Sequence, residues 1–383
     1  METLLTRTFA QNSRNSGLAP IAEKVFAGDR ITDADALALY AHPDLNAVGL
    51  LANHVRERLN GNVTTYILNR YLNYSNVCIL SCQFCAFYRR AGQDGAFELS
   101  IEEIVAKARE SHAQGLTEIH SVGGLHPKLP FSFYLEMISG IKAACPGLRV
   151  KAFTAVEIRH LAERIAKKPI RETLELLKEA GLDSLTGGGA EIFDPAIRDQ
   201  ICRGKESAEE WLDVHRTWHH MGQQSTATML YGHIEENRHR VDHLRRLREL
   251  QDETHGFTAL IPFAYEPENN KLSSSLRRVG GREDLRNIAV ARIYLDNIPH
   301  LTAYWISMGM SIAQIAQSYG ADDLHGTLRE ELIFHMAGSK TPQEQTIAKM
   351  ERAIREAGRV PAQRDTFYQV PSPSSSPAIA TSA

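Results

Sequence analysis

Residues 76–90 read NVCILSCQFCAFYRR, and the apolar segment before them is typical of a strand. Cys78, Cys82 and Cys85 are separated by three and by two residues. Thiolates at such short spacing can hold an iron–sulfur cluster from a single loop. Three thiolates leave one iron of a four-iron cluster without a protein ligand, and an open coordination position is what chemistry at a metal requires. We therefore predict a [4Fe–4S] cluster on these three cysteines.

The competing interpretation of this stretch is a zinc site or three unrelated buried thiols. Zinc would need a fourth Cys or His at short range, and no pair with familiar zinc-finger spacing accompanies the cysteines. Cys145 and Cys202 are isolated in the sequence and are expected to be core or incidental thiols. His215 and His219 have i, i+4 spacing, but no HExxH pattern accompanies them, so a solvated helix face is favoured.

On either side of the cysteines, short apolar or β-branched runs alternate with helical stretches from Tyr66 to about Tyr319. Six or seven such units predict an α/β fold with a parallel sheet and right-handed crossovers. A full or partial (β/α) TIM-type barrel is favoured over an open sheet, with the site at the carboxyl ends of the strands. After the first strand, the expected strands are TEIHSV (117–122), LRVKAFTA (148–155), LDSLT (182–186), STATMLY (225–231), FTALIPFA (257–264) and LTAYWIS (301–307).

The chain is expected to have four parts. Capping-box patterns predict helices that begin after Thr32, Ser100 and Ser207. The end of the chain is rich in Ser, Pro and Ala and nearly without charge, which is typical of disorder. The expected parts are an N-terminal helical extension (1–60), the barrel (61–340), a C-terminal helix and extension (341–371) and a disordered tail (372–383).

Composition narrows the class of protein. The net charge is −3 and no long basic run is present, so neither nucleic acid nor an anionic membrane is an expected partner. No apolar stretch approaches the roughly 18 residues of a membrane span, and the N-terminus lacks the apolar region of a secretory signal. Three of the five cysteines fall within eight residues, which favours metal chemistry in the reducing cytoplasm over a disulfide framework.

The Cys-x3-Cys-x-aromatic-Cys pattern, with Phe84 before the third cysteine, resembles the motif of the radical S-adenosylmethionine (SAM) superfamily. The resemblance covers the barrel region. It implies that the open iron is chelated by the amino and carboxylate groups of SAM, and that Phe84 and Tyr88 lie in the cofactor-binding region. An electron from the cluster would cleave SAM to methionine and a 5′-deoxyadenosyl radical. A low-potential reductant such as flavodoxin or ferredoxin would supply that electron.

Two further motifs belong to this cofactor site by resemblance. Gly123 and Gly124, in SVGGLHPKLP, allow close approach of the backbone and would contact the methionine amino group of SAM, although a simple strand–helix turn is the alternative. Glu191, in LTGGGAEIF, would accept hydrogen bonds from the ribose, although an ordinary glutamate at a helix start is the alternative. The glycine run lacks the GxGxxG pattern of a nucleotide-phosphate loop.

Five polar residues near strand ends are candidates for binding a polar small-molecule substrate inside an apolar barrel. Each of them taken alone is more often structural than functional. His126 is the best candidate for protonation or anchoring, because it follows the glycine pair in a short polar turn. The candidates are His126, Lys151, Thr154, Glu157 and Tyr231.

Longer strings resemble the aminofutalosine (aminodeoxyfutalosine) synthases of the futalosine route to menaquinone. They include CQFCAFYR, GGLHP, KAFTAVEI, AGLDSLTGGGAEIF and ATMLYGH. The resemblance implies that the adenosyl radical adds to the enol-ether double bond of 3-[(1-carboxyvinyl)oxy]benzoate. Aryl migration and loss of a carboxylate as bicarbonate would then give 6-amino-6-deoxyfutalosine. Such a reaction needs a dry cavity, a rigid substrate pose and groups that bind two carboxylates.

Two alternatives stay open at this point. Dehypoxanthine futalosine cyclases of the same pathway share the cysteines, GGLHP and GGGAEI, but tend to carry a proline-containing segment in place of AFTAVEI and leucine in place of Phe193. An iron–sulfur electron-transfer protein is the alternative from another class. Its cluster would normally have four protein ligands, and it would form neither 5′-deoxyadenosine nor an adenosyl adduct.

Overall fold

A computed structural model describes residues 17–272, 275–327 and 329–370. The tail predicted at 372–383 lies outside the described residues. Three helices precede the sheet, α1 (Ala19–Ala27), α2 (Asp33–Ala41) and α3 (Leu45–Asn60). The capping box at the start of α2 is confirmed, because the Asp35 amide donates to Thr32 Oγ1 and the Thr32 amide donates to the Asp35 carboxylate.

Parallel strands and helices then alternate along the chain. Ser100 with Glu103 and Ser207 with Glu210 form the capping boxes predicted at two of the helix starts. The strands are β1 (Val63–Ile67), β2 (Asn69–Tyr71), β3 (Glu118–Ser121), β4 (Arg149–Ala152), β5 (Ser225–Tyr231), β6 (Phe257–Ala264), β7 (His300–Leu301) and β8 (Asp323–Gly326). The helices between and after them are α4 (Ile101–Ala113), α5 (Phe131–Ala144), α6 (Ala155–His160), α7 (Ile170–Ala180), α8 (Pro195–Ile201), α9 (Ala208–His220), α10 (Asn237–Thr254), α11 (Gly281–Tyr294), α12 (Trp305–Met308), α13 (Met310–Ala316) and α14 (Ile333–Met336), and a π-helical segment (Leu161–Ala166) follows α6.

The strand pairings form a continuous ring. β2 pairs with β3, β3 with β4, β5 with β6 and β6 with β7, all in parallel. Single bridges through Ser184 and Leu185 join β4 to β5, and a bridge from Thr302 to Asp323 joins the end of β7 to β8. β8 pairs with β1, which runs on into β2. The predicted barrel is therefore confirmed, and it closes around a common interior.

Two details of the sequence-based prediction are wrong. The eighth strand, β8, lies beyond Tyr319, where the predicted alternation ended. Of the strand expected at 301–307, only Leu301 belongs to β7, and the chain turns into α12 at Trp305. A short apolar run does not by itself distinguish a strand from a buried helical turn. Here the buried Trp305 indole donates to the carbonyl of Gly326 on β8.

The C-terminal segment closes the amino-terminal end of the barrel. Helix α15 (Ile347–Glu356) leads to β9 (Val360–Gln363), which pairs in parallel with β1. The next residue, Arg364, is 2% exposed and donates from Nε to Asp323 at 2.6 Å and from Nη2 at 3.2 Å. Its guanidinium lies 3.7 Å from the ring centre of Tyr368. Because of this ion pair, the pKa of Asp323 is held below its usual range despite burial.

Within the described residues, none of the helices is both long enough and apolar enough to cross a lipid bilayer.

The Arg364–Asp323 pair provides a test of this closure. Arg364→Met should lower the free energy of unfolding by roughly 3–5 kcal/mol, because it leaves the Asp323 carboxylate buried without its cation. Arg352→Met is the control, since Arg352 is exposed and pairs with Glu356 on the surface of α15. Urea titration followed by circular dichroism would measure both variants. Equal behaviour of the two would contradict a structural role for the C-terminal segment.

Candidate active site

A deep cavity opens at the carboxyl ends of the strands. It encloses about 1510 Å³, counting its open mouth. Ten of the thirteen predicted site residues line it, namely Cys78, Cys82, Phe84, Cys85, Tyr88, Gly123, Gly124, Thr154, Glu157 and Glu191.

The cysteine loop at the mouth is tied to three neighbouring segments. The Cys78 amide donates to the carbonyl of Arg89, which bridges the loop back to the strand-like residue Val77. The amide of Ile79 donates to the carbonyl of Leu125, just after the glycine pair. Gln83 is held from both sides, because its amide donates to the carbonyl of Ile201 and its carbonyl accepts from the amide of Lys271. These main-chain contacts fix the thiols without using their side chains.

The chemistry of the three thiols fits a metal cluster. All three side chains are half-buried, and burial raises the pKa of Cys82 and of Cys85. Thiolates in such a place need a nearby positive charge, which coordinated iron supplies. In the described part of the chain, no three Cys, His, Asp or Glu side chains converge as ligands of a single metal ion would. In a cubane cluster, each thiolate binds a different iron atom.

The glycine pair packs directly against this loop. A Cβ on Gly124 would lie 2.3 Å from the carbonyl oxygen of Val77, and one on Gly123 would lie 2.4 Å from the Tyr74 ring. The Gly124 amide donates to the carbonyl of Ser75. Glycine is therefore required at both positions, because a side chain there would collide with the neighbouring strand end. Both glycines line the cavity.

Glu157 ties the glycine pair to helix α6. Its carboxylate accepts from the Thr154 amide and hydroxyl at 2.8 Å each, from the Tyr74 hydroxyl at 2.7 Å and from the Gly123 amide at 2.9 Å. Burial raises the pKa of Glu157 even though these donors oppose the shift. The side chains of Thr154 and Glu157 are thus engaged within the protein, although both residues border the cavity.

Lys205 is a cavity residue that the sequence analysis missed. Its ammonium lies 2.6 Å from the Glu191 carboxylate, and the two side chains are 8% and 7% exposed. The ammonium also lies 5.8 Å from the ring centre of Phe84. Desolvation opposes the charged form, but attraction by Glu191 and Cys82 outweighs it and raises the pKa of Lys205. A fixed positive charge therefore lies beside the cysteine loop.

Three predicted substrate residues do not line the cavity. His126 accepts from the amides of Lys128 and Leu129 through Nδ1, and its Nε2 lies 2.9 Å from Glu98. The Tyr231 hydroxyl donates to Asp284 on α11, outside the barrel.

The third, Lys151, is buried inside the barrel beside Glu118 and Asp323, where burial lowers its pKa to about 8.

The histidines of helix α9 are not on a solvated face, so that prediction is wrong. His215 and His219 are buried, and ring nitrogens of both lie within 2.8 Å of Ser225 Oγ. Their rings pack against Phe257, because this face of α9 covers the start of β5 and β6. The prediction that Cys145 and Cys202 are core thiols is confirmed by their burial, which raises the pKa of Cys202 to about 11.

Four aromatic side chains deep in the cavity were also missed by the sequence analysis. Tyr71, His120, Tyr304 and His325 line its inner end. A histidine within a predicted barrel strand, such as His120 in TEIHSV, was the signal that could have identified one of them.

Comparison with known proteins shows the family. A sequence model of the radical SAM superfamily matches residues 72–247, and a model of the CofH/MqnC C-terminal region matches residues 254–376. The aminodeoxyfutalosine synthase of Thermus thermophilus is 48% identical over 359 residues, which cover 93% of this chain and 96% of that protein. This chain belongs to the radical SAM superfamily. Radical SAM proteins use a [4Fe–4S] cluster and SAM, so both are cofactors of this enzyme.

Other relatives place this radical SAM enzyme more narrowly. The aminodeoxyfutalosine synthase of Streptomyces coelicolor is 43% identical over 360 residues, covering 91% of this chain and 93% of that protein. The cyclic dehypoxanthine futalosine synthase of Streptomyces coelicolor is 39% identical over 362 residues, covering 93% and 90%. The resemblance to aminodeoxyfutalosine synthases that the sequence indicated is thus confirmed.

A solved structure shares the fold of this radical SAM enzyme. The FeFe-hydrogenase maturase HydG from Carboxydothermus hydrogenoformans superposes with a TM-score of 0.73 at 17% identity, covering 96% of this chain and 83% of that chain. At this identity the likeness concerns the fold alone.

The Lys205–Glu191 pair can be tested through stability. Lys205→Met should lower the free energy of unfolding by roughly 3–5 kcal/mol, because it leaves Glu191 buried without a counter-charge. The double variant Lys205→Met/Glu191→Gln should lose less, since no buried charge then remains unpaired. Arg203→Met, on the same loop but exposed, is the control. Urea unfolding of the four proteins measures the coupling, and equal losses in the single and double variants would contradict it.

Proposed function

We propose that this enzyme is an aminodeoxyfutalosine synthase that acts in menaquinone biosynthesis. It joins the adenosyl group of SAM to 3-[(1-carboxyvinyl)oxy]benzoate, forms 6-amino-6-deoxyfutalosine and releases methionine and bicarbonate. The observation that carries this proposal is the 48% identity to a protein of that name along nearly the whole length of both chains. A deep, mainly apolar cavity beside the three thiols supports it further.

In this proposal the three thiolates of Cys78, Cys82 and Cys85 hold the cluster and leave one iron free for SAM. When bound, the reduced cluster supplies the electron that cleaves SAM to methionine and the 5′-deoxyadenosyl radical. The protein keeps the thiols in place through the main-chain contacts of the loop. Half-burial of the loop limits the access of water to the thiolates.

SAM would lie along the residues that border the loop. We assign Phe84, Tyr88 and the main chain of Gly123 and Gly124 to its binding, since all four line the cavity next to the cysteines. Glu191 would contact the ribose. Because its carboxylate is already paired with Lys205, it is held in one position before SAM arrives, which lowers the cost of ordering it.

The chain positions the substrate by shape more than by catalytic groups. The reaction needs no strong general base, and the lining is mainly apolar, with Leu80, Leu125, Ile261 and Phe263 among the wall residues. Such a wall excludes water and restricts the pose of the alkene next to the adenosyl group. Thr154 and Glu157 border the same space and would act through the position of the glycine pair.

His126 and Tyr231 are held by hydrogen bonds within the protein, and Lys151 is buried outside the lining, so we assign the three no contact with substrate.

A low-potential reductant such as flavodoxin or ferredoxin would deliver the electron at the cysteine loop, where the side chain of Ile79 is 42% exposed. Five free thiols and an iron–sulfur cluster suit a reducing compartment such as the cytoplasm.

The cyclase of the same pathway is the alternative that the sequence left open, and it is less favoured. Its Streptomyces coelicolor representative is 39% identical, against 43% for the synthase of the same organism. Phe193, which tends to be leucine in cyclases, is buried and stacks on His243 with ring centres 4.0 Å apart. The electron-transfer alternative is not favoured, because the relatives named above are enzymes.

The cluster ligands can be tested by metal analysis. Anaerobically reconstituted protein should contain about four iron and four sulfide per chain, and Cys82→Ala should lose the cluster together with SAM cleavage. Cys145→Ala, at a buried thiol remote in sequence from the loop, should retain both. Iron and sulfide determination with ultraviolet–visible spectra measures the outcome. A stable cluster in Cys82→Ala would contradict the ligand assignment.

The product decides between the two futalosine enzymes. Protein incubated with dithionite, SAM and 3-[(1-carboxyvinyl)oxy]benzoate should give a product with the mass of 6-amino-6-deoxyfutalosine, because the adenosyl group is consumed as a substrate. Liquid chromatography with mass spectrometry measures it. Cyclisation of dehypoxanthine futalosine by the same preparation, without that product, would establish the alternative.

A further inference from the structure

Two strands, β3 and β8, supply residues at the inner end of the cavity. His120 on β3 and His325 on β8 are the deepest lining residues of their strands. The residues two positions earlier, Glu118 and Asp323, are buried and do not line the cavity. We call His120, His325, Tyr71 and Tyr304 together the cavity floor.

Ring contacts hold the floor together. Tyr71 and His120 stack with ring centres 4.4 Å apart, and Tyr304 meets His325 edge to face at 5.0 Å. The Tyr304 hydroxyl donates to the Tyr71 oxygen at 3.4 Å, so the Tyr71 proton remains free for another acceptor. Both phenols have pKa values above the usual range because of burial, and they stay protonated.

The two imidazoles carry nitrogens without partners. His120 is 7% and His325 is 3% exposed, and the Nδ1 atom of each is buried without a hydrogen bond. The Nδ1 atom of His120 is 4.0 Å from Glu118, beyond hydrogen-bond length. Within the described residues neither Nε2 atom has a hydrogen-bond partner, which leaves it available to a ligand in the cavity. Because the Nδ1 atoms are fully buried, the contact of each ring with a ligand falls to its Nε2 atom.

Beneath the floor, Asp323 and one carboxylate oxygen of Glu118 are already bonded within the protein. Asp323 is bound by Arg364 and by the hydroxyls of Thr65 and Thr302, while Asn69 donates to Glu118. Desolvation, reinforced by the charge of Lys151, lowers the pKa of both imidazoles, that of His325 to about 3. Without a ligand the four side chains of the floor are therefore uncharged. They can donate hydrogen bonds to a ligand, and they form no ion pair with one another.

Among the described residues that line the cavity, no lysine or arginine is without a partner. Among the lining residues of the described chain, Lys205 is the one lysine and arginine does not occur, and Lys205 is engaged by Glu191. A substrate carboxylate at the lining must therefore meet hydrogen-bond donors that are uncharged in the free protein. His120, His325 and Tyr71 of the floor are such donors.

An aromatic wall rises beside the floor. Phe263 and Phe334 pack edge to face at 5.5 Å, and Tyr304 lies 5.4 Å from Phe334 and 6.3 Å from Phe263. All three line the cavity. Ring faces and edges of this kind bind a flat aryl group, and a polar substituent of that group would then reach the floor.

We propose that the cavity floor is a carboxylate subsite that receives the aryl carboxylate of the substrate through Nε2 of His120, Nε2 of His325 and the hydroxyl of Tyr71. This assignment rests on the proposed function for the identity of the substrate. Binding of the carboxylate favours the neutral tautomer of each imidazole that carries its hydrogen on Nε2. The aryl ring lies against Phe263 and Phe334, and the enol-ether end points toward the cysteine loop.

Turnover of a matched pair of substrates tests the subsite. The second compound is 2-phenoxyacrylate, which lacks the ring carboxylate and keeps the alkene. Wild-type enzyme should favour the benzoate in kcat/KM by roughly 10- to 100-fold, the range expected for hydrogen bonds to a charged group. His120→Phe and His325→Phe keep the rings and remove the donors. Each should reduce that preference about tenfold or more, while activity on 2-phenoxyacrylate stays within about twofold.

A purely structural role would lower activity on both compounds equally, and that result would overturn the proposal. His120→Gln and His325→Gln, which keep an N–H donor, should retain part of the preference. Unchanged preference in both Phe variants would equally overturn it.

Binding without turnover separates this subsite from the proposed function. Calorimetry with the reconstituted holoenzyme compares 3-hydroxybenzoate with 3-hydroxybenzamide. Wild-type protein should bind the acid more tightly than the amide, and both Phe variants should lose that difference. Equal binding of acid and amide by the wild type would overturn the subsite. Failure of the wild type to form any adenosyl product, with acid binding intact, would instead count against the proposed function alone.

Discussion

Burial of three thiols on one short loop is the constraint on which the rest of the site depends. Because burial raises the pKa of Cys82 and Cys85, the thiolate forms are unfavourable until metal supplies positive charge. The loop is anchored by its main chain, since the amide of Ile79 donates to Leu125, after β3, and the amide of Gln83 donates to Ile201, the last residue of α8. The glycine pair packs against the residues that begin this loop, and the Lys205 ammonium lies 5.8 Å from the ring centre of Phe84 within it.

Polar side chains lie at three successive depths along the barrel axis. Arg364 and Asp323 occupy the amino-terminal end, where the C-terminal segment brings the cation that pairs with Asp323. Neutral His120 and His325 form the next level, and the cysteine loop lies at the open carboxyl end. Pairing of the lowest level leaves the middle level uncharged. An anionic substrate can therefore enter without competing for a salt bridge already formed within the protein.

Local features of this architecture could be predicted from sequence, and features that depend on distant segments could not. The strands at 225–231 and 257–264 have the predicted bounds, because their β-branched and apolar runs are long. β8 was missed because it has four residues and two of them, Asp323 and His325, are polar, a composition typical of loops. Its first residue, Asp323, is paired with Arg364 of the distant C-terminal segment. The cysteine spacing indicated the cluster, whereas Lys205 approaches Glu191 only after the chain turns through α8.

The open iron position is tested most directly by electron–nuclear double resonance on the reduced holoenzyme with SAM labelled with ¹⁵N at its amino group. We expect a ¹⁵N hyperfine coupling to the cluster, which shows that SAM occupies the iron that Cys78, Cys82 and Cys85 leave free. Stoichiometric SAM binding without such a coupling, together with coupling to a protein nitrogen as a fourth ligand, would contradict the three-thiolate site.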